Sequence, residues 1–226
     1  ALEVSVPVSD LEFYKLTYNG EVFYPMPVLE IWTLHFKTEL GYGGGYGDTD
    51  ELPFYENFFG GGFGSVRGYQ SNTLGPRSTP AEPYVVAAPV TQIDAEGNAT
   101  QIGGPNGDLF GYVASNGQLL FGQVEDDDDP FGGNVLIEGS AELLFPLPFI
   151  KDQSQLRTGF FLDVGNVYDT DCSSTQKNCF DVDLSELRYS VGVGLTWITG
   201  FGPMSFSLAK PLKVDEYDQE EIFQFT

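Results

Sequence analysis

The stretch that decides the fold is PFYENFFGGGFGSVRGYQSNTLGPR, residues 53–77. It has neither the alternation of a strand nor the period of a helix. Its aromatic side chains favour burial, and its clustered glycines allow the backbone to fold back on itself. We therefore predict a long loop tucked into a cavity, with Arg67 as its anchor.

Composition favours strands and turns over helices. The chain has 226 residues, of which 41% are hydrophobic, and it contains 19 Phe, 12 Tyr and 28 Gly. Aromatic residues are enriched in strands and glycine in turns. No apolar run reaches the roughly 18 residues of a transmembrane helix. A membrane-spanning barrel stays open, because its strands show only alternating apolar residues.

The formal net charge of −23 argues against nucleic acid as a partner, since phosphates would be repelled. Most carboxylates fall in predicted loops, including the acidic run 125–129. This distribution fits water-exposed loops and divalent cations shared with an anionic surface. We read the acidic run as a solvated loop rather than a calcium site. The chain shows no nucleophile, base or metal constellation, so we expect neither an enzyme nor a cofactor or metal site.

Two cysteines lie in one polar loop. The spacing of Cys172 and Cys179 predicts a short-range disulfide formed in an oxidising compartment. A zinc site would need more ligands, and the single histidine, His35, lies far away in sequence. We interpret His35 as a polar-face strand residue. The chain has no initiator Met and no signal peptide, from which we expect it to begin within a larger protein.

Alternation of apolar and polar residues predicts the strands. Short and long connections alternate between them, which is typical of an up-and-down antiparallel meander with one plain rim and one elaborate rim. The short connections are 25–29, 146–155 and 200–203, and the long ones are 43–133, 169–186 and 213–221. No strand is predicted inside 43–133, and the polar part from 91 to 133 is expected to be exposed to water.

Every predicted strand has one apolar face and one face of charged residues, Ser, Thr and Gly. A soluble sandwich would seldom place so many glycines on its water-facing side, whereas an outer-membrane barrel places its polar face around a lumen. We therefore predict part of a larger all-β, antiparallel, up-and-down transmembrane β-barrel, here a C-terminal fragment of about seven to eight strands with one very long inserted loop. Both ends resemble cut strands, and open edges would favour self-association.

The same alternation places acidic residues on the lumen side. Glu142 and Asp163 lie on the polar faces of successive strands, and a buried arginine needs carboxylate partners. We predict that Arg67 meets both, with Arg157, Arg188 and Glu138 as possible further members. In the alternative interpretation, Arg67 is a solvated turn residue and the two acids simply face water.

Several motifs then resemble a known family. The loop carries Val66-Arg67-Gly68-Tyr69 after PFYENF, and the strand FFLDVGNVYDT spans 160–170. The pieces GSAELLFPLPF, LRYSVGVGLTWITGFGPMSFSLAKPL and IFQF follow in order. Together they resemble the C-terminal barrel part of the outer-membrane assembly factors of the bacterial surface antigen superfamily, over nearly all of residues 1–226. The resemblance implies that 43–133 folds into the lumen, and that Arg67 pairs there with Glu142 and Asp163.

The resemblance also implies a function. Such proteins fold and insert other β-barrels into the outer membrane of Gram-negative bacteria without ATP. Phe223, Gln224 and Phe225 would form one side of a weak strand seam. The implied partners are unfolded barrel clients, outer-membrane lipid and accessory lipoproteins. Alternatives are a two-partner secretion transporter or TamA-like factor of the same superfamily, a passive porin, and a soluble extracellular β-sandwich or adhesin domain.

Overall fold

The computed structural model describes the following parts of the chain: residues 1–6, 11–27, 31–78, 90–93, 99–102, 110–113, 119–122, 129–147, 150, 155–173 and 176–226. Its strands are β1 (Leu2–Val4), β2 (Phe13–Pro25), β3 (Thr33–Gly45), β4 (Gly68–Tyr69), β5 (Val90–Ile93), β6 (Ala99–Ile102), β7 (Phe110–Val113), β8 (Leu119–Gly122), β9 (Val135–Phe145), β10 (Leu156–Tyr168), β11 (Arg188–Thr199), β12 (Gly202–Pro211), β13 (Glu220–Glu221) and β14 (Phe223–Phe225). Two 3-10 turns span Phe54–Glu56 and Leu184–Glu186. No helix in the described ranges is long and apolar enough to cross a membrane.

Eight of these strands form one sheet in the order β1-β2-β3-β9-β10-β11-β12-β14. Every neighbouring pair is antiparallel. The strands lie side by side in the sheet in the same order in which they occur along the chain. The predicted all-β meander is therefore confirmed. Strands β2, β3, β9, β10, β11 and β12 are long, while β1 and β14 have only three residues each. The sheet stays open, with β1 at one edge and β14 at the other.

The register sets the polar face. Asp163 on β10 lies opposite Ser140 on β9 and Ser190 on β11. Glu142 on β9 lies opposite His35 on β3. Because paired residues in a sheet point to the same side, these positions form one continuous polar surface.

Burial is inverted relative to a soluble protein. Tyr18 and Trp197 on the apolar face are 57% and 47% exposed, whereas Asp163 and Ser190 on the polar face are 0% exposed. A sandwich would pack its apolar faces together, so the soluble-sandwich alternative does not fit this arrangement. Aromatic side chains also gather at the short-turn rim, where the rings of Phe145 and Phe160 lie 4.9 Å apart. Aromatic girdles of this kind mark the membrane interfaces of outer-membrane barrels.

The polar face is covered by residues 51–78, which we call the inserted segment. Glycines on the strands make room for it. A Cβ at Gly41 would lie 2.5 Å from the ring of Phe58, and one at Gly165 would lie 2.9 Å from Cγ2 of Val66. The high glycine content of the polar face thus has a packing reason.

The expectation that all the aromatic rings of this segment are buried is wrong in part. Phe58 and Tyr69 are buried, but Phe54, Tyr55 and Phe59 are exposed. The exposed rings lie at the entry of the segment, where it leaves the sheet at the long-loop rim.

The rest of the long connection corrects a second expectation. It contains two hairpins, β5 with β6 and β7 with β8, although no strand was predicted there. Most of the acidic run, residues 125–128, lies outside the described residues.

The cysteine loop docks against the inserted segment. Cys172 and Cys179 form a disulfide, with their Cα atoms 5.6 Å apart, which confirms the predicted pairing. The backbones of Lys177 and Arg77 exchange two hydrogen bonds of 2.8 and 3.1 Å. The side-chain amide of Asn178 adds a third by donating to the carbonyl oxygen of Gly75 at 2.8 Å.

Candidate functional site

The inserted segment reaches the sheet through its Val66-Arg67-Gly68-Tyr69 motif. Val66 is buried against the space left by Gly165. Gly68 has φ +95°, a conformation that favours glycine, and a Cβ there would lie 3.1 Å from Cβ of Ala209. The backbone turn at Gly68 directs Arg67 toward strand β10.

Arg67 contacts both predicted acids. Its Nε donates to Oδ2 of Asp163 at 2.7 Å and its Nη2 donates to Oδ1 at 2.8 Å. Its Nη1 lies 2.8 Å from Oε1 of Glu142. The two bonds to Asp163 form the bidentate pairing that suits a guanidinium. The structure therefore brings Arg67, Glu142 and Asp163 together across two strands.

Two further side chains complete the arginine's surroundings. Ser140 donates to Oδ1 of Asp163 at 2.6 Å and accepts from Nη2 of Arg67 at 3.2 Å. The guanidinium carbon lies 3.5 Å from the centre of the Phe161 ring, a cation–π contact. Sequence reasoning did not single out Phe161, although alternation along β10 puts it on the same face as Asp163.

The charge of Arg67 is stabilised in place. Burial disfavours the guanidinium cation, but the hydrogen bond and charge of Asp163, with the charge of Glu142, outweigh burial and raise the pKa of Arg67. Arg67 therefore remains a cation, and the two acids keep an opposite charge beside them.

His35 is more than a polar-face residue. Its Nδ1 lies 2.9 Å from Oε2 of Glu142 and its Nε2 lies 2.7 Å from Oε1 of Glu21. Arg157 joins the same group, with Nη2 3.5 Å from Oε2 of Glu142. The site thus extends from Asp163 through Glu142 to strands β2 and β3.

The two other candidates do not touch Arg67's acids. Glu138 accepts a hydrogen bond from Ser65, so it binds the inserted segment directly. Arg188 was a candidate member of the site, and this is wrong. It begins β11 at the long-loop rim and pairs with Asp218 at 2.5 Å and Glu186 at 3.1 Å.

The predicted seam strand also meets the inserted segment. Phe223 and Phe225 are exposed on the apolar face, whereas Gln224 is 3% exposed and faces inward. Gln224 contacts the backbone of Gly68 and Tyr69. Strand β14 pairs with Phe206 to Leu208 of β12. Backbone hydrogen bonds also join the flanking residues, Thr226 to Ser205 and Ile222 to Ala209.

A metal site does not emerge from the part of the chain that the structure describes. There, no group of three His, Cys, Asp or Glu side chains is arranged to hold an ion. The contacts of the site are those of a structural ion-pair network.

An inverted antiparallel sheet, an aromatic girdle and a loop bound to the polar face define an integral outer-membrane β-barrel protein. The chain belongs to the Omp85 superfamily, whose domain matches residues 1–226. This membership places the sheet in the outer membrane, with its apolar face toward lipid and its polar face toward the lumen.

Relatives of known identity agree with this assignment. The chain is 36% identical over 242 aligned positions to the outer membrane protein assembly factor BamA of Neisseria meningitidis serogroup B, covering 99% of the chain and 24% of that protein. It is 33% identical to BamA of Neorickettsia risticii over 98 positions, covering 43% of the chain and 13% of that protein. The crystal structure of BamA from Haemophilus ducreyi lacking POTRA domains 1–3 matches with a TM-score of 0.68 and 27% identity, covering 99% of the chain and 36% of that structure. The chain thus spans about a quarter of the Neisseria protein and about a third of the solved Haemophilus chain.

Proposed function

We propose that this chain is the C-terminal barrel part of an outer-membrane protein assembly factor, which folds and inserts other β-barrels into the Gram-negative outer membrane. Its similarity to BamA over 99% of the chain supports this role. The observation that carries the proposal is the binding of the Val66-Arg67-Gly68-Tyr69 motif to the polar wall through Asp163 and Glu142, in a chain that matches BamA over 99% of its length.

A seam strand that can leave its neighbour gives a physical route to insertion. An unpaired strand edge is very costly in lipid, because backbone groups find no water there. A barrel whose seam opens at β14 can pair its free edge with an incoming strand by β-augmentation. The client then completes its own hydrogen bonding in lipid and separates.

The inserted segment acts as a brace during this process. Arg67 holds it to β9 and β10 through Glu142 and Asp163, and Lys15 and Lys37 donate to its carbonyl oxygens at Glu56 and Gly64, at 2.6 and 3.0 Å. The polar wall therefore keeps its shape when the seam moves. The work is non-enzymatic and needs no cofactor, with unfolded barrels, lipid and accessory lipoproteins as partners.

Complementation tests the proposal. The whole protein is expressed in a Gram-negative strain depleted of its own assembly factor, and folded client barrels are measured by their heat-modifiable mobility. We expect wild-type protein and Arg157→Ala to restore assembly, and Arg67→Glu to fail, since a carboxylate at position 67 would be repelled by Glu142 and Asp163.

The outcome that contradicts the proposal is wild-type protein folded in the outer membrane without restored assembly. A steady, large, ion-selective conductance from such a protein would indicate a porin. Secretion of a dedicated substrate without general barrel assembly would indicate a transporter of the same superfamily.

A further inference from the structure

The last strand is attached to the protein in two places. One is the ladder with β12, which joins Phe206 to Phe225, Ser207 to Gln224 and Leu208 to Phe223. The other is the inserted segment, which meets β14 and the residues before it from inside the lumen. These two attachments lie on different sides of the strand, so their contributions are separable.

The second attachment centres on Gln224. Its side-chain Nε2 donates to the carbonyl oxygen of Tyr69 at 2.7 Å, and its Oε1 accepts from the backbone N–H of Gly68 at 3.3 Å. One amide side chain thus satisfies a donor and an acceptor of two adjacent residues, as a paired strand would. The contact is buried, where an unmatched backbone group is costly.

Neighbouring contacts extend this attachment along the chain. β13 pairs with β4, with Glu220 opposite Tyr69 and Glu221 opposite Gly68. The N–H of Gln70 donates to the carbonyl oxygen of Gln219 at 2.8 Å. Residues 219–221 therefore run as an added strand beside the Gly68–Tyr69 backbone.

The two ends of this contact are bound to different parts of the barrel. Arg67 is held by β9 and β10, and the next two residues hold Gln224 of β14. A movement of the motif away from the wall must therefore disturb the last strand, and release of the last strand must expose the backbone of the motif.

We propose that Gln224 is a positioning residue that locks β14 to the inserted segment, so that β14 leaves β12 only when the Gly68–Tyr69 backbone is also released. The lock follows from the contacts of this chain. Its meaning for client insertion rests on the proposed function, because only there does β14 need to open.

Hydrogen exchange of the whole protein in lipid nanodiscs tests the lock. Gln224→Leu keeps the side-chain size but removes both hydrogen bonds to the Gly68–Tyr69 backbone. Gln224→Glu keeps the acceptor for Gly68 but loses the donor to Tyr69, and it adds a charge near Glu221, whose Oε2 lies 3.1 Å from Nε2 of Gln224. We expect amides in 68–70 and 219–226 to exchange on the order of 10-fold faster in both variants, with β10 unchanged.

Phe225→Leu is the matched control, because it alters the lipid-facing side of the same strand. It should leave exchange in 68–70 at the wild-type level. Unchanged exchange in 68–70 in Gln224→Leu would overturn the proposal, as would an equal rise in the Phe225→Leu control. Should Gln224→Leu fail to fold, Gln224→Asn shortens the side chain and tests the same contact. Because no client is present, this result is independent of the complementation result.

Discussion

Nε of Arg67 lies 2.7 Å from Oδ2 of Asp163, a contact between residues 96 positions apart in the chain. It joins a loop without any strand period to the middle of β10. The backbone N–H of Arg67 donates to the same oxygen at 3.2 Å, so Asp163 fixes both the side chain and the backbone of the motif.

Removing the arginine should destabilise the protein strongly. Arg67→Ala leaves Asp163 buried without its partner, which costs about 3–5 kcal/mol. Arg67→Lys keeps the charge but loses the bidentate geometry, so its loss should be intermediate. Arg157→Ala is the control, because Arg157 is half exposed and such pairs contribute about 0–1 kcal/mol. Urea unfolding of the purified protein in lipid measures all three, and an Arg67→Ala protein as stable as the control would refute the anchor.

Replacing Gly165 on β10 with a residue that has a side chain should destabilise the protein. A Cβ at Gly165 would lie 2.8 Å from the carbonyl oxygen of Ile137 and 2.9 Å from Val66, whereas one at Gly139 would meet Val164 at an ordinary 3.5 Å. Gly165→Ala should therefore cost about 1–3 kcal/mol and loosen the inserted segment. Gly139→Ala on the next strand should cost less. Limited proteolysis within residues 51–78 tests this, and equal cleavage rates in the two variants would contradict it.

The disulfide should stabilise the contact between the cysteine loop and the inserted segment. Replacing both cysteines in Cys172→Ser/Cys179→Ser frees a short loop, for which chain entropy predicts a loss of about 2 kcal/mol. We expect faster amide exchange in 176–179 and at Arg77, whose backbone pairs with Lys177. Exchange in β10 around Asp163 should not change. Reduction of the wild-type protein should produce the same changes in amide exchange. If the Arg77 amide stays protected in both the double variant and the reduced protein, the contact between the cysteine loop and the inserted segment does not depend on the disulfide.

The stabilisation that Tyr69 contributes to the folded protein should decrease at high pH. Its hydroxyl shares its one proton between the carbonyl oxygen of Tyr189, at 3.1 Å, and that of Lys213. Burial, reinforced by the negative charge of Asp218, raises the pKa of Tyr69 to about 12. Because the folded pKa lies above the unfolded one, this stabilisation is complete below about 10. It is lost as the pH rises toward the folded value.

Tyr69→Phe removes this titration together with the two hydrogen bonds. The variant should be less stable than wild type at pH 9 by about 1–2 kcal/mol. The difference should shrink as the pH rises from about 10 to 11, across the unfolded-state pKa of tyrosine. Denaturant midpoints at the two pH values measure it. A constant difference between the two proteins would show that the Tyr69 hydroxyl does not titrate as the structure predicts.

The alternation of apolar and polar residues predicted the sheet and the two acidic residues of the site. Because side chains on a strand point to alternate faces, the positions of Glu142 and Asp163 fixed which way they face once the strands were recognised. The partners of Arg67 followed from charge, since a buried guanidinium must find carboxylates. The order of the strands followed from the alternation of short and long connections.

The remaining features of the site and the fold depend on contacts between distant residues, which the alternation within one strand does not predict. His35 and Gln224 meet their partners only because the inserted segment and the neighbouring strands take particular positions. Strands β5 to β8 were missed because each has only four residues, too few for alternation to stand out from chance. Arg188 was misassigned because facing inward does not tell how far along the strand a residue lies.

A double-mutant cycle between Arg67 and its two acids tests the central claim most directly. The single and double alanine variants of Arg67 with Asp163, and of Arg67 with Glu142, are compared by their free energies of unfolding in lipid. Contacting residues in one network couple by about 0.5–3 kcal/mol. We predict coupling in both pairs and a larger value for Asp163, which accepts two hydrogen bonds from the Arg67 side chain and is fully buried. Additive effects in both pairs would contradict the claim that these acids hold the inserted segment in the barrel.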